Sequence, residues 1–315
     1  MKILITGGCG FLGSKMLEFL FKDEKNYIYV IDNLSTGYLS NIQKFLGFKR
    51  VKFIKFDICN ESIVKKIKKL NVQRIYNFAC PASPFYYQKH PIETWEASVL
   101  GVRNLLKAIQ GTRIRLFQSS TSEVYGDPYV SPQKETYWGN VNPIGVRSCY
   151  DEGKRSAESL LYDFKRKNDV DIRVARIFNT YGPNMAKNDG RIISNFITQA
   201  LDNNSITIYG NGKQTRSFCF VDDTIYGIYL LMESDYDESP INIGNPNETT
   251  VLEIAQQIKK MTNSSSDIIF CKKSEDDPQQ RNPSIEDAKK FIKWEPTITL
   301  KQGLEITIKY FMDKK

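Results

Sequence analysis

The feature that most constrains the fold is a glycine-rich turn close to the first residue. Ile3-Leu4-Ile5 has the apolar, β-branched character of a buried strand, and Gly7-Gly8-Cys9-Gly10-Phe11-Leu12-Gly13 follows almost at once, leading into an apolar helical stretch. Glycine there permits a tight turn, close approach of the backbone to a pyrophosphate, and packing of the helix on the strand. The free N–H groups of the helix N-terminus attract phosphate. The pattern predicts a dinucleotide-binding unit; a glycine-rich turn that holds no ligand is the alternative.

Short β-branched runs and single helices alternate along the first 180 residues. The predicted strands are 3–5, 27–31, 51–56, 74–78, 115–117 and 172–176, and the predicted helices are 11–22, 62–70, 92–109 and one that begins near Cys149. Strands joined by single helices imply right-handed crossovers and a parallel sheet. The sequence therefore predicts an α/β fold with a Rossmann-type, doubly wound parallel sheet.

The pattern loosens after residue 181, where Pro and Gly become more frequent. Further helices are predicted at 192–201, 223–232, 251–261 and 300–311. A chain of 315 residues is long enough for two units of ordinary size. We therefore predict a Rossmann domain over 1–180, to which 216–240 returns, and a smaller C-terminal α/β lobe over 181–315 that binds the substrate.

Composition and charge exclude several classes of function. Hydrophobic residues make up 41% of the chain and charged residues 25%. No apolar run approaches the ~20 residues that span a bilayer, and the first strand follows Met1 directly, so we expect a cytoplasmic protein with no membrane partner. The net charge is +8, but the basic residues are scattered over predicted helix faces, so no nucleic-acid partner is expected.

Metal and disulfide chemistry are not expected either. The 6 cysteines include no Cys-x-x-Cys pair, and His90 is the single histidine. Zinc sites and disulfide frameworks require closely spaced ligands or pairs of these residue types. The sequence therefore predicts no metal site.

Two aspartates end the second and third predicted strands. Asp32 follows the glycine turn by about 20 residues, the spacing at which a carboxylate accepts hydrogen bonds from the adenosine ribose hydroxyls. The same carboxylate would repel a 2′-phosphate, which favours NAD over NADP. Asp57 either faces the adenine edge or is an ordinary turn aspartate at a strand end.

Tyr150 and Lys154 are predicted to share one face of a helix, because they are four residues apart. A free phenol has a pKa near ~10, and a neighbouring ammonium should lower it. Tyr150 could then accept a proton from a substrate hydroxyl while hydride leaves the same carbon, and Lys154 would also hold the nicotinamide ribose. The pair follows Ser119-Ser120-Thr121-Ser122-Glu123. That segment leaves the fifth predicted strand, where substrate would sit; the alternative is a Ser/Thr-rich turn that caps a helix.

Longer motifs carry a family resemblance that covers nearly the whole chain. The matching stretches are 79–84, 120–128, 137–145, 149–155, 173–183, 188–191, 209–210, 214–216 and 276–281. They resemble the extended short-chain dehydrogenase/reductase superfamily and, within it, the UDP-glucuronate decarboxylase (UDP-xylose synthase) family. The resemblance implies NAD as cofactor, UDP-glucuronate as substrate, a lobe that binds nucleotide sugar, and a homodimer formed through helices near 92–109 and 149–165.

The reaction that the resemblance implies has no net redox change. NAD⁺ oxidises C4 of the glucuronate ring with Tyr150 as the base, and the 4-keto acid loses CO₂. The enolate that remains is protonated at C5, and C4 is reduced again to give UDP-xylose. Release of the 4-keto pentose with NADH is the open alternative to the last step.

The resemblance, with the arguments above, implies three sets of site residues. The catalytic set is Thr121, Ser122, Glu123, Tyr150, Lys154 and Arg281. The cofactor set is Gly7, Gly10, Phe11, Leu12, Gly13, Asp32, Asn33, Thr36, Gly37, Asp57, Ile58, Ala79, Ser119, Tyr150, Lys154, Thr180 and Arg191. The substrate set is Ala82, Tyr87, Thr121, Asn179, Arg191, Asn195, Tyr209, Gln214, Arg216 and Arg281.

The implied catalytic roles are specific. Thr121 would hydrogen-bond the C4 oxygen. Ser122 and Glu123 would lie beside C5 and the carboxylate, with Glu123 as the candidate acid/base. Arg281 would bind the carboxylate or a proton-donating water, because a guanidinium matches the two oxygens of a carboxylate.

The remaining roles concern the sugar and the phosphates. Tyr87 and Asn179 would contact the sugar and the diphosphate, Arg216 would neutralise the diphosphate, and Arg191 would serve either nucleotide. For each arginine the alternative is a surface ion pair.

Two rival functions remain. A nucleotide-sugar 4,6-dehydratase also makes a 4-keto sugar, but it needs an acid to expel the C6 hydroxyl, supplied in that family by an Asp between the Thr and the Glu. Ser122 occupies that position here and is too weak an acid for this role. A non-catalytic NAD-binding scaffold is the other rival; such proteins typically lose the Tyr or the Lys, and this chain has both.

Overall fold

The structure is a computed structural model that describes residues 1–187, 189–272 and 280–314. Asn188 and residues 276–279, which belong to the motifs named above, lie outside the described residues.

Strands and short turns account for much of the described chain. The strands are β1 (Lys2–Thr6), β2 (Tyr27–Asp32), β3 (Val51–Lys55), β4 (Arg74–Asn77), β5 (Arg115–Thr121), β6 (Ile172–Ile177), β7 (Thr180–Tyr181), β8 (Ile206–Tyr209), β9 (Thr215–Ser217), β10 (Cys219–Phe220), β11 (Ile241–Ile243), β12 (Glu248–Thr250) and β13 (Ile268–Cys271). Short 3₁₀ turns occupy Leu39–Asn41, Gln43–Phe45 and Ser122–Tyr125, and a π-helical turn occupies Ala97–Gly101.

The α-helices lie between these strands and after them. They are α1 (Phe11–Phe21), α2 (Ile63–Leu70), α3 (Pro84–Tyr87), α4 (Pro91–Glu96), α5 (Val102–Ile109), α6 (Ser148–Asn168), α7 (Ile192–Leu201), α8 (Val221–Glu233), α9 (Val251–Met261), α10 (Glu286–Ile292) and α11 (Leu300–Asp313). In the described part of the chain, no helix combines the length and the apolar character needed to cross a membrane.

Seven strands form one sheet in the order β11-β6-β5-β4-β1-β2-β3, and all neighbours are parallel. The order runs outward in opposite directions from β1 and β4, so the loops that follow these two strands diverge and leave a crevice at their carboxyl ends. This arrangement confirms the predicted Rossmann-type, doubly wound fold. It also places the glycine turn, which follows β1, beside that crevice.

Side chains on β1 alternate between two helix layers, as the pleat of a strand requires. Ile3 and Ile5 pack on the side of α1 and the C-terminal lobe, and Leu4 packs on the side of α2, α5 and α6. None of the three side chains is more than 1% exposed. A strand buried on both faces explains why Ile3-Leu4-Ile5 is apolar throughout rather than alternating.

Strand β5 is longer than predicted. It extends to Thr121, because Ser119, Ser120 and Thr121 continue the parallel pairing with Ala175, Arg176 and Ile177 of β6. Their hydroxyl groups suggested a turn, but the ladder with β6 keeps them in the sheet. The 3₁₀ turn Ser122–Tyr125 begins only afterwards, and Thr121 caps it by accepting a hydrogen bond from Glu123 N at 3.2 Å.

The predicted helix 92–109 is interrupted by the π-helical turn Ala97–Gly101. The C-terminal part of the chain forms small sheets, in which β7 pairs with β10, β8 with β13 and β9 with β12. Residues of α8 join the same apolar core as α1, and β11 pairs with β6 in the main sheet. The division at residue 180 stays a prediction.

Candidate active site

A cleft with a volume of about 660 Å³ lies at the carboxyl ends of the central strands. All of the predicted catalytic and cofactor residues line it. The predicted substrate residues that line it are Ala82, Tyr87, Thr121, Asn179, Arg191, Arg216 and Arg281. Residues that are far apart in the sequence therefore meet in one site.

Three predicted substrate residues are not part of this lining. Asn195 lies inside α7, where its N–H donates to Arg191 O at 3.0 Å. Tyr209 is 51% exposed at the end of β8, and Gln214 Nε2 donates to Tyr209 O at 2.7 Å. Their substrate contacts stay predictions.

The glycine turn leaves no room for larger residues. Gly7 has φ +68°, and a Cβ atom there would lie 2.6 Å from Ala79 N. A Cβ atom at Gly13 would lie 2.2 Å from Gly7 O. Gly10 precedes the N-terminus of α1 and lines the cleft without a side chain. The exposed helix N-terminus and the bare turn can hold a pyrophosphate.

Asp32 fastens this turn to β2. Its Oδ2 accepts from Cys9 N at 2.9 Å, and its Oδ1 accepts from Leu34 N at 2.8 Å. Burial raises the pKa of Asp32, and these two backbone hydrogen bonds oppose the rise. We name the glycine turn together with Asp32 the nucleotide end of the cleft.

Asp57 is engaged in a local turn while it also lines the cleft. Its Oδ1 accepts from Cys59 N at 2.8 Å, and its Oδ2 accepts from Asn33 Nδ2 at 2.9 Å. The turn role of Asp57 is therefore present, and a contact with adenine stays a prediction.

Tyr150 and Lys154 are both buried, on α6. Lys154 Nζ donates to Ser119 O at 2.9 Å and lies 5.7 Å from the centroid of the Tyr150 ring. Burial raises the pKa of Tyr150 well above its usual range, although a hydrogen bond with Thr121 and the charge of Arg191 oppose the rise. The prediction that Lys154 makes this phenol more acidic than a free one is wrong for this structure, because the ammonium is held at a carbonyl and burial dominates.

Tyr87 holds the plane of the Tyr150 ring. The two rings stack with centroids 5.2 Å apart and an interplanar angle of 5°. Tyr87 is 1% exposed, and Cys149 Sγ donates to its carbonyl at 3.5 Å. This stacking restricts rotation of the Tyr150 side chain and so fixes the position of its hydroxyl group.

Glu123 is held by two arginines. Its Oε2 accepts from Arg147 Nη2 at 2.6 Å and from Arg281 Nη2 at 2.9 Å. Arg281 is 1% exposed, and its Nη1 donates to Gly126 O at 2.6 Å. Burial tends to raise the pKa of Glu123, but the Arg281 and Arg147 charges outweigh it and lower the pKa to about 2.

Glu123 is therefore ionised at neutral pH. It can accept a proton or orient a water, but it carries no proton to give. The predicted acid role is not supported in this state, and the predicted base role stays open. We name Glu123, Tyr150, Arg147 and Arg281 the sugar end of the cleft.

Two further arginines line the cleft. Arg191 pairs with Asp189, with Nη2–Oδ2 at 2.5 Å, and its guanidinium lies 5.6 Å from the centroid of the Phe11 ring. Arg191 thus lies between the glycine turn and Tyr150, which suits a contact with either nucleotide. Arg216 is 5% exposed, and its Nη1 donates to Thr215 O at 2.8 Å.

Comparison with known proteins agrees with this geometry. The chain matches the GDP-mannose 4,6 dehydratase family over residues 4–307. It is 48% identical over 306 residues to UDP-glucuronic acid decarboxylase 5 of Arabidopsis thaliana, covering 97% of this chain and 88% of that protein. The chain belongs to the UDP-glucuronic acid decarboxylase family. It is also 46% identical over 310 residues to UDP-glucuronic acid decarboxylase 1 of Danio rerio, covering 98% of this chain and 72% of that protein.

Among solved structures, the UDP-glucuronic acid 4-epimerase of Bacillus cereus, in complex with UDP-glucuronic acid and NAD, shares this fold. The TM-score is 0.88 at 28% identity, and the match covers 100% of both chains. Family membership and fold together confirm the resemblance stated from the motifs.

Sequence reasoning missed Arg147 and Asp151. Arg147 precedes α6 by one residue, and its Nε lies 3.7 Å from Asp151 Oδ2. Sequence spacing gave no signal for Arg147, because it precedes the helix that carries Tyr150. In the described residues, no group of three or more His, Cys, Asp or Glu side chains is arranged to hold a metal ion.

Proposed function

We propose that this enzyme is an NAD-dependent UDP-glucuronate decarboxylase that converts UDP-glucuronate into UDP-xylose and CO₂. The observation that carries the proposal is the sugar end of the cleft in a member of this family. Tyr150, which can accept a proton, shares one cleft with Arg281, Arg147 and the carboxylate that these two arginines hold. A sugar acid is the substrate class that such a cationic pair can recognise.

The nucleotide end fits a dinucleotide. A Cβ atom at Gly7 or Gly13 would meet backbone within 2.6 Å and 2.2 Å, respectively, so only glycine leaves this turn open in front of α1. The Asp32 carboxylate lies beside the turn, where a ribose would be recognised and a 2′-phosphate repelled. NAD⁺, when bound, would take a hydride from C4 of the sugar and return it after decarboxylation.

Tyr150 would accept the proton of the C4 hydroxyl and return it at the end of the cycle. Its high pKa must fall when substrate and cofactor are present, and the positive charge of Arg191 already acts in that direction. The Thr121 hydroxyl, which hydrogen-bonds Tyr150, would orient the C4 oxygen towards the phenol. Lys154, whose ammonium is held by the Ser119 carbonyl, would hold the ribose and keep a positive charge 5.7 Å from the centroid of the Tyr150 ring.

The ketone at C4 lies β to the carboxylate, so the carbon–carbon bond to the carboxylate can break while the electrons pass to the C4 oxygen. Arg281 would hold the carboxylate until CO₂ leaves. Glu123, ionised and fixed by two arginines, would orient a water near C5, and that water would give a proton to C5 and recover one from solvent. Ser122 would lie beside the substrate carboxylate without adding a negative charge there.

The dehydratase alternative is less consistent with these residues. Expelling the C6 hydroxyl requires an acid beside C6, and Ser122 stands where that acid is needed. Glu123 does not replace it, because its pKa of about 2 leaves it ionised at neutral pH.

The proposal includes a homodimer formed through α4, α5 and α6. Ile92 is 67% exposed and Trp95 is 41% exposed on α4, which supports an apolar contact there. The cytoplasmic location stays a prediction.

The test is a pair of incubations with NAD⁺, one with UDP-glucuronate and one with dTDP-glucose, followed by mass measurement of the nucleotide products. We expect loss of CO₂ from UDP-glucuronate and no change in dTDP-glucose. Loss of water from dTDP-glucose, without loss of CO₂ from UDP-glucuronate, would reject the proposal in favour of the dehydratase.

A further inference from the structure

Asp151 is a buried carboxyl group that the proposed chemistry does not use. It lies in the first turn of α6, and its side chain is 9% exposed. Its Oδ2 lies 3.7 Å from Arg147 Nε, and among the described residues no group hydrogen-bonds its buried Oδ1. A buried carboxyl group with a single long contact to a cation is poorly placed to carry a negative charge.

Glu123 is the preferred partner of the same arginine. Arg147 Nη2 lies 2.6 Å from Glu123 Oε2, a full ångström closer than the contact with Asp151, and Arg281 Nη2 approaches the same oxygen at 2.9 Å. Both guanidinium groups therefore form their short ion pairs not with Asp151 but with Glu123. A second carboxylate beside it would add both repulsion and desolvation.

Several other titratable groups surround Asp151 besides its helix neighbour Glu152. Those that influence it or are influenced by it are Glu123, Arg147, Arg281, Glu152, Tyr87 and Cys149. Burial raises the pKa of Tyr87 and of Cys149, so both stay neutral near pH 7. Burial and the Glu123 charge raise the pKa of Asp151 to about 8, against the opposing charges of Arg147 and Arg281.

We propose that Asp151 is a positioning residue that stays protonated, so that no second negative charge stands beside Glu123 where Arg147 and Arg281 meet the carboxylate of a sugar acid. An ionised Asp151 would repel the substrate carboxylate at that place. Arg216, whose charge also acts on Glu123, lines the same cleft and keeps its charge in both states of Asp151. The inference rests on the proposed function for the identity of the sugar acid.

The consequence is a pH-dependent preference for a UDP-sugar that carries a carboxylate over one that does not. A UDP-sugar without a carboxylate gains nothing from a neutral Asp151. UDP-xylose is the matched reference, because it carries the same uridine and diphosphate as UDP-glucuronate. The ratio of the two dissociation constants therefore isolates the carboxylate subsite.

Isothermal titration of the NAD⁺-loaded Tyr150→Phe protein measures both dissociation constants without turnover. The ratio for UDP-glucuronate over UDP-xylose should rise about tenfold between about pH 6.5 and about pH 9, because one unit above a pKa of about 8 leaves about one-tenth of Asp151 protonated. Adding Asp151→Asn, which is neutral at every pH, should make the ratio flat. Adding Glu152→Gln instead, the neighbouring acid on α6, should keep a rise of the same size, displaced to slightly lower pH because the Glu152 charge also raises the pKa of Asp151.

A second readout needs no change at residue 151. At about pH 8.5, binding of UDP-glucuronate should take up about 0.7 proton, and binding of UDP-xylose almost none. Titration in buffers of different ionisation enthalpy measures this, so the inference remains testable even if the Asn variant does not fold.

Two results would overturn the inference: a flat ratio with no proton uptake while Asp151 is present, or an equal rise after Asp151→Asn. Failure of the proposed function looks different. The unsubstituted protein would release no CO₂ from UDP-glucuronate, although the pH-dependent ratio could still follow Asp151.

Discussion

The two ends of the cleft are built by different means. At the nucleotide end, the backbone of one short segment forms the site. Gly7, Gly10 and Gly13 keep the turn open, and Asp32 holds it by accepting a hydrogen bond from the main-chain N–H of Cys9. At the sugar end, buried charged side chains form the site. Arg147 and Arg281 are 134 positions apart yet meet on one oxygen of Glu123.

This difference determines how each end should fail. The nucleotide end needs steric room around its backbone, so an added methyl group should damage it most. The sugar end needs each buried charge to be paired with an opposite charge, so removal of a single charge should damage it most. Variants at one end should leave the other end intact.

The largest expected effect is at the sugar end. Tyr150→Phe removes the proton acceptor and should lower the rate of CO₂ release from UDP-glucuronate by about 10³-fold. NAD binding should be nearly unchanged, since the nucleotide end is untouched. Rates by mass spectrometry and NAD affinity by fluorescence check both. Tyr226→Phe, at a tyrosine that is 48% exposed on α8, is the control; equal loss in both variants would remove Tyr150 from the chemistry.

The next effect is at the nucleotide end. Gly13→Ala places a methyl group 2.2 Å from Gly7 O and should lower the free energy of unfolding by roughly 3 kcal/mol, with loss of NAD binding. Gly47→Ala is the matched control, because a Cβ atom there meets nothing within 4 Å. Urea denaturation and NAD titration measure the pair. Similar stability and similar NAD affinity in the two variants would mean that the turn has room for a Cβ atom at position 13.

A smaller effect concerns the carboxylate of Glu123 at the sugar end. Glu123→Gln weakens the hydrogen bonds from Arg147 and Arg281 by removing the negative charge, and it should lower the free energy of unfolding by roughly 2 kcal/mol near pH 7. The pKa of Glu123 falls from 4.5 to about 2 in the folded protein, so its stabilisation is complete above about pH 4.5 and is lost as the pH falls towards 2.

The difference in stability between this variant and the unsubstituted protein should therefore shrink between about pH 5 and about pH 3. Urea denaturation across that range measures it, with Glu305→Gln, at an exposed position of α11, as the control. A difference that grows as the pH falls would show that the arginines do not stabilise the ionised form of Glu123.

The nucleotide end could be predicted from sequence because its information is local. The strand, the glycine turn and the helix occur in one short segment, and Asp32 follows at the spacing of the next strand. The main sheet was predictable for the same reason, with errors such as the end of β5, where pairing with β6 overrides the turn character of Ser119 and Ser120.

The charged residues of the sugar end were only partly predictable from the sequence. Family motifs supplied Glu123 and Arg281, but Arg147 and Asp151 acquire their roles from burial and from a shared partner, which sequence spacing does not report. The same limit explains the wrong expectation for the pKa of Tyr150. A lysine one helical turn away is visible in the sequence, whereas the burial that outweighs it is visible only in the fold.

The most direct test of the account follows the hydrogen at C4. UDP-glucuronate that carries deuterium at C4 is incubated with the enzyme and NAD⁺, and the sugar product is examined by NMR. We predict UDP-xylose that retains the deuterium at C4, with CO₂ released and no accumulation of NADH. Release of CO₂ with loss of the label from C4 to solvent would contradict the account.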